Sequence, residues 1–380
     1  MRQASLIFGV VLTVGATIAA IASMVVPRAT RRGLSHVVTT SVLAAMRAPL
    51  RIPLPYRLQD RWLRLAAPIS VLVQLAVFVS LVIVGTSMII YGQFDLTWKQ
   101  SAWQAAATVT TLGTTEAVNW SSAITAALGA FLGLVIIAVF MGYLVGLYSA
   151  YVDRESFMAR FAQVAGEPAW GPMVLARSQM IFGDADAAYS FDSWTEWITD
   201  LRIGQQASPV LAHFRSPDPM RHWTITMLAI LDATALGLAL GIVKDRGPAI
   251  CCLAEGSLTL GVLNRNRLDL EWRNLAFERS VLDILDSTPK GQPPVTPSLT
   301  DEEWTKAVDL LTGAGVTDAS ALEQARPRLE AIRALYLSDA TAIACALHGV
   351  RAMWSGPRSF ASAELAPEMT VSGGAGLESS

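Results

Sequence analysis

The sequence predicts an all-α membrane protein: three transmembrane helices with a re-entrant loop between the second and third, followed by a helical cytoplasmic domain. Three observations lead there. Hydrophobic residues make up 52% of the 380 and charged residues only 16%, and the mean hydropathy is +0.42, oilier than an ordinary soluble domain. Three uncharged runs are each long enough to cross a bilayer. Between the second and third stands a short helix pattern followed by the Thr/Gly-rich string "TTLGTTE".

The first run, 6–26, holds 21 uncharged residues, close to the roughly 20 that an apolar helix needs to cross hydrocarbon. It is too long for a secretory h-region, has only Arg2 before it, and is followed by Pro27-Arg28 rather than by a small-residue cleavage site. The second, 65–91, contains "SVLVQLAVFVSLVIVGTSMII". The third is uncharged over 117–152, with its helix expected from near Ser122. A helix of that length reaches ~45 Å, so its end is expected to project into water.

Arginine placement sets the expected orientation. Residues 27–64 carry Arg28, Arg31, Arg32, Arg47, Arg51, Arg57, Arg61 and Arg64 against Asp60 alone, whereas the link between the second and third runs has Lys99 as its one basic residue. The positive-inside rule places the arginine-rich link in the cytoplasm. The N-terminus and residues 92–121 are then outside, and everything after Tyr151 inside, in a multi-pass protein of the cell membrane. Within the link, Leu34, Val37, Val38, Val42 and Met46 fall at mostly helical spacing. That helix is expected either along the inner headgroups, held by the arginines, or packed on the cytoplasmic domain. The expected segments are 1–27 (first span), 28–64 (arginine-rich link), 65–152 (two spans and the loop), 153–355 (helical domain) and 356–380 (a disordered tail).

Thr97 with Gln100 three residues on forms a capping box at the head of "WKQSAWQAAATV", a helix over 98–109 too short to span. The chain then loses helical character at Thr110-Thr111-Leu112-Gly113 and has to return outward by Trp120. Irregular backbone at membrane depth is tolerated only where protein buries it or where it lines an aqueous cavity. A helix whose C-terminus points inward aims the negative end of its dipole at that cavity and favours a cation. The carbonyls and Thr hydroxyls that follow can replace the ion's water, and Gly113 accepts φ > 0, which turns carbonyls to one side.

In order and content, residues 65–152 resemble the two-helix pore module of the potassium channel superfamily. Thr110-Thr111-Leu112-Gly113-Thr114-Thr115-Glu116 is similar to that family's T-T-V-G-Y-G-D, and Trp103, ten residues before Gly113, falls where the family often has a pore-helix tryptophan. The resemblance implies an ion filter of Thr110, Thr111, Leu112, Gly113, Thr114 and Thr115, with Glu116 at the outer mouth and Trp103 supporting it. It also implies a homotetramer, because one loop cannot enclose a conduit, and K⁺ or another monovalent cation as the permeant species, with no cofactor. Thr114 stands in place of the bracing aromatic and Thr115 in place of the second glycine. β-Branched residues resist left-handed geometry, so weaker K⁺ selectivity or poor conduction is expected. In the third run, Gly129, Gly133, Gly142 and Gly146 have spacings that allow close helix packing, and Gly133 is also the candidate gating hinge.

The remaining residues point away from other functions. The net charge of −2 gives no bulk attraction to nucleic acid. Cys251, Cys252 and Cys345 lack ligand spacing and are expected as buried reduced thiols. His36, His213, His222 and His348 are scattered, Ser178, Ser208 and Ser216 lack a nucleophile-elbow context, and no phosphate-binding glycine motif is present, so no enzyme and no resident metal are expected. Two apolar runs, 224–243 with Asp232 and 249–263 with Glu255, read either as a transmembrane hairpin with Lys244-Asp245-Arg246 outside or, the favoured reading, as core helices of the cytoplasmic domain, since the second run is only 15 residues and acids without partners are costly inside a membrane. Trp194, Trp197, Phe214 and Trp223 read as core, Ser208-Pro209 and Ser216-Pro217-Asp218-Pro219 as helix breaks, and Thr300 with Glu303 as a second capping box. The alternative to a channel is a non-conducting membrane sensor or scaffold that keeps the pore architecture and signals through its cytoplasmic domain.

Overall fold

The computed structural model describes residues 2–25, 33–51, 56–113, 120–265, 271–286 and 299–355. These residues are helical throughout, with no strand among them. In order they form α1 (Arg2–Val25), α2 (Leu34–Arg47), α3 (Tyr56–Leu63), α4 (Ala66–Gln93), α5 (Trp98–Val109), α6 (Trp120–Ala165), α7 (Gly171–Phe182) and α8 (Phe191–Ala207). There follow α9 (Trp223–Leu240), α10 (Arg246–Arg265), α11 (Glu271–Asp286), α12 (Asp301–Gly313), α13 (Ala319–Ala334) and α14 (Leu337–Ala346), with 3₁₀ turns at Ala48–Arg51 and Pro209–His213. The chain divides into two compact units, with the main boundary between Asp153 and Arg154, where the change from apolar run to mixed sequence predicts it.

The first unit is built on α1 against α4. Close approach is possible because small residues face each other: a Cβ on Gly85 would collide with the Thr13 hydroxyl, and one on Gly9 would lie 2.7 Å from the Gly85 carbonyl oxygen. Arg2 pairs with Asp95 at 2.5 Å and lies over the Tyr91 ring, which fixes the two helices antiparallel. Ala16, Ala20, Phe78, Val82, Val109 and Ile136 form one core cluster, and Ala67, Val71, Phe140 and Leu147 form another. The third apolar helix, α6, starts at Trp120, two residues before the expected Ser122, and continues to Ala165. Its charged tail begins at Asp153 and Arg154.

Helix α2 packs on α4, with Leu43 buried while Leu34 and Val37 stay exposed. Residues 203–214 also belong here: Val210 and Leu211 enter the Ala67–Leu147 cluster, and Tyr143 shares a 2.7 Å hydrogen bond with Ser208. Pro209 ends α8 as the sequence requires, but only packing shows which core the following turn joins.

The second unit is assembled around α9, which is buried over its whole length. Asp232, the one charge in that helix, accepts from Arg333 at 2.8 and 3.1 Å and from the Tyr336 hydroxyl at 2.7 Å. Arg333 also donates to the Trp354 carbonyl at 2.6 Å, and Trp354 stacks on Trp304 and meets Trp170 edge-on. All three polar side chains are at most 5% exposed. Without these partners a carboxylate there would be prohibitive, so the acid that argued against a membrane location is answered inside the protein. Trp194, Trp197 and Trp223 are core as expected, with Phe214 partly buried in the first unit. The Thr300–Glu303 box forms with both reciprocal bonds, at 3.0 and 3.2 Å.

The cysteines correct the sequence reading in part. All three are free, but only Cys252 is buried; Cys251 and Cys345 are exposed on the outer faces of α10 and α14. Neighbouring apolar residues do not bury a residue on the outer face of an amphipathic helix. Burial pushes the Cys252 thiol up to about 12, which keeps it unreactive. His222 is buried too, and its Nδ1 accepts from the Thr224 N–H at 3.3 Å, capping α9. Desolvation, with Arg215 and Arg154 nearby, holds its pKa well below the usual histidine value.

Candidate ion-conduction segment

Helix α5 begins where the sequence places it. The Thr97 N–H donates to Gln100 Oε1 at 3.0 Å and the Gln100 N–H to Thr97 Oγ1 at 3.4 Å. Trp98 meets Tyr91 edge-on at 6.0 Å, so the head of α5 lies beside the end of α4. Its tail lies much deeper: Val109 belongs to the cluster with Phe78 and Val82, near the middle of α4. Twelve residues of helix advance ~18 Å, enough to carry α5 from the end of α4 to its midpoint. Ser101, Ala105, Ala107 and Val109 face inward, and the small residues let α5 approach α4 closely. Trp103 is 64% exposed on the opposite face.

Gly133 sits where α6 crosses the tip of α5. A Cβ there would run into the Val109 carbonyl oxygen, and a Cβ on Gly129 would lie 2.9 Å from Thr108 Cγ2. These two glycines therefore serve close packing. Helix α6 is continuous through Gly133. Gly142 and Gly146, by contrast, have open space beside them.

After Val109 the backbone closes the helix and then changes hand. The N–H groups of Thr110, Thr111, Leu112 and Gly113 bond back to the carbonyls of Ala106, Thr108 and Ala107, at 2.8–3.4 Å. Thr110 Oγ1 donates to the Ala106 carbonyl and Thr111 Oγ1 to the Thr110 carbonyl, each at 2.7 Å. Thr111 has φ 59° and Gly113 φ 60°. Glycine tolerates that geometry, whereas a β-branched residue is destabilised there by about 1–2 kcal/mol. The sequence places strain further on, at Thr114 and Thr115, which lie outside the described residues; among the described ones it falls at Thr111, and no composition signal marks it. Among the described residues no donor reaches the carbonyls of Thr111, Leu112 or Gly113, and all three residues are exposed. Thr114, Thr115 and Glu116 lie outside the described residues.

Around this segment the unit presents apolar side chains outward. On α6, Trp120, Ile124, Leu128, Phe131, Leu134, Met141, Val145 and Tyr148 are each more than half exposed and recur every three or four residues. No group of three His, Cys, Asp or Glu that could hold a metal occurs among the described residues. Among the described residues, four helices are long and apolar enough to cross a membrane: α1, α3–α4 taken together, α6 and α9. The apolar window of α9 is 94% buried within the protein, against 22% for α6.

The fold thus defines an all-helical protein with long apolar helices of the kind found in membrane proteins. No protein-family model, curated protein or solved structure matches the chain.

Proposed function

We propose that the chain is a potassium-channel-like cation channel, a homotetramer in the cell membrane whose three spans are α1, α4 and α6, and whose filter is the segment that follows α5. In this reading α5 is the pore helix and enters from outside, the arginine-rich link 28–64 and the second unit are cytoplasmic, and α9 is a core helix. One observation carries the reading: a capped helix too short to span starts at the end of α4 and finishes in the core beside Phe78 and Val82. Its tip leads into backbone that turns left-handed at Thr111 and Gly113, and among the described residues no donor reaches the three successive carbonyls of Thr111, Leu112 and Gly113. Strained residues of this kind gather at functional sites, and oxygen ligands facing an axis are what a desolvated cation needs. The exposed apolar stripe on α6 requires lipid or further copies to cover it, and four copies around an axis supply both.

The test is flux. The full chain reconstituted in liposomes under a K⁺ gradient should dissipate it, with reversal potentials in mixed K⁺/Na⁺ showing modest selectivity. T114Y/T115G should sharpen K⁺ over Na⁺. Liposomes that hold the gradient although the tetramer is intact would overturn conduction and leave the non-conducting sensor.

A further inference from the structure

Where α3 runs into α4, the first unit carries a surface of mixed character. Leu58, Trp62 and Leu65 are 52%, 44% and 51% exposed and lie at i, i+4 and i+7, on one face of nearly continuous helix. Helical hydrogen bonds persist through the turn, from Arg64 N–H to the Asp60 carbonyl at 2.9 Å and from Ile69 N–H to Leu65 at 3.0 Å. One more heptad along the same face, Leu72 is 59% exposed. The Trp62 indole N–H donates to the Met46 carbonyl at 2.9 Å, so the ring is pinned at its nitrogen and open along its apolar edge. Arg61 and Arg64 flank this face, both accessible to solvent. The nearby acid, Asp60, is 3% exposed and turned inward, where it pairs with Arg64 at 3.4 Å. The surface therefore presents Arg61, and Arg64 with 42% of its side chain exposed, beside an apolar track.

We propose that this corner binds an anionic phospholipid, its phosphate on Arg61 and Arg64, the Trp62 ring at the level of the glycerol esters, and an acyl chain along Leu65 and Leu72. The chemistry is that of the bilayer boundary: guanidinium forks match phosphate oxygens, tryptophan favours the headgroup interface, and basic residues next to a span are drawn to anionic lipid. The assignment of the leaflet as cytoplasmic rests on the orientation proposed above; the binding itself does not.

The test is lipid retention by the full-length protein in detergent, read by native mass spectrometry during titration with phosphatidylglycerol or phosphatidylcholine. Phosphatidylglycerol should be retained preferentially, and R61Q should weaken it about fivefold, the loss expected for one basic residue at a membrane surface, while R61K retains it. Raising the salt should reduce the preference. As a second measurement, brominated phosphatidylglycerol should quench the wild type more than W62F, and brominated phosphatidylcholine should show a smaller difference. Equal retention of the two lipids, or R61Q binding like wild type with no quenching difference at Trp62, would overturn the proposal. Neither readout involves ion flux, so a chain that binds the lipid but does not conduct would sink only the channel reading.

Discussion

Helices α6 and α9 are both long and apolar, yet one turns its hydrophobic side chains outward and the other buries every one. The window of α6 is 22% buried and that of α9 94%. Apolar content measures how much a helix loses in water; it does not say whether lipid or protein removes the water. The polar residues decide. In α6 the exposed stripe from Trp120 to Tyr148 is free of charge, as lipid or a like surface requires. In α9 a single carboxylate is met by Arg333 of α13 and by Tyr336, which caps α14, both of its own unit, an arrangement that only a folded domain supplies.

The largest effect expected from breaking this contrast is at Asp232. D232A leaves the Arg333 guanidinium buried without its partner, and chemical denaturation should show a loss of about 3–5 kcal/mol. D232A/R333A should recover part of that, because no lone charge remains. On the other side of the contrast, G133V forces a side chain into the Val109 carbonyl. It should lower thermal stability in detergent by about 1–3 kcal/mol and abolish flux, whereas G142A, beside open space on the same helix, should leave the folded subunit as stable or raise it by up to ~1 kcal/mol.

The cap of α9 gives a pH test. His222 is neutral in the fold, with a pKa below its unfolded value, so the unfolded chain binds more protons at acid pH. Stability should fall as the pH drops below about 6.5, by at most ~1.4 kcal/mol per pH unit from this group. H222N keeps a capping acceptor and should flatten that slope in thermal melts across pH 7 to 5. The smallest effect is at the two capping boxes: T97A and T300A should each cost about 1 kcal/mol, but only T97A, at the head of α5, should also change ion flux.

Much of the architecture was legible in the chain. Both capping boxes, the ends of α5, the apolar runs and the boundary near Asp153 follow from local rules: side chains that satisfy their own helix ends, and uncharged stretches of a given length. The assignment of α9 to a core was legible from Asp232 only as an argument that a partner must exist, because Arg333 lies 101 residues away. At the candidate filter, the need for φ > 0 at Gly113 could be read from the glycine. The same geometry at Thr111 could not, because a strained residue is imposed by what surrounds it. The burial of Cys251 and Cys345 was misjudged for a related reason: flanking residues describe a helix's average, not the direction a single position faces.

By itself the sequence determined that the chain is helical and oily, where α5 and α12 are capped, and where a short helix gives way to irregular backbone, since each of these depends on residues within a turn or two. Tertiary structure alone decided which apolar helix is wrapped by protein, that residues 203–214 join the first unit, and that Gly133 touches the end of α5. Those outcomes depend on surfaces brought together from distant parts of the chain, and a pairing between distant surfaces leaves no periodic mark on either partner.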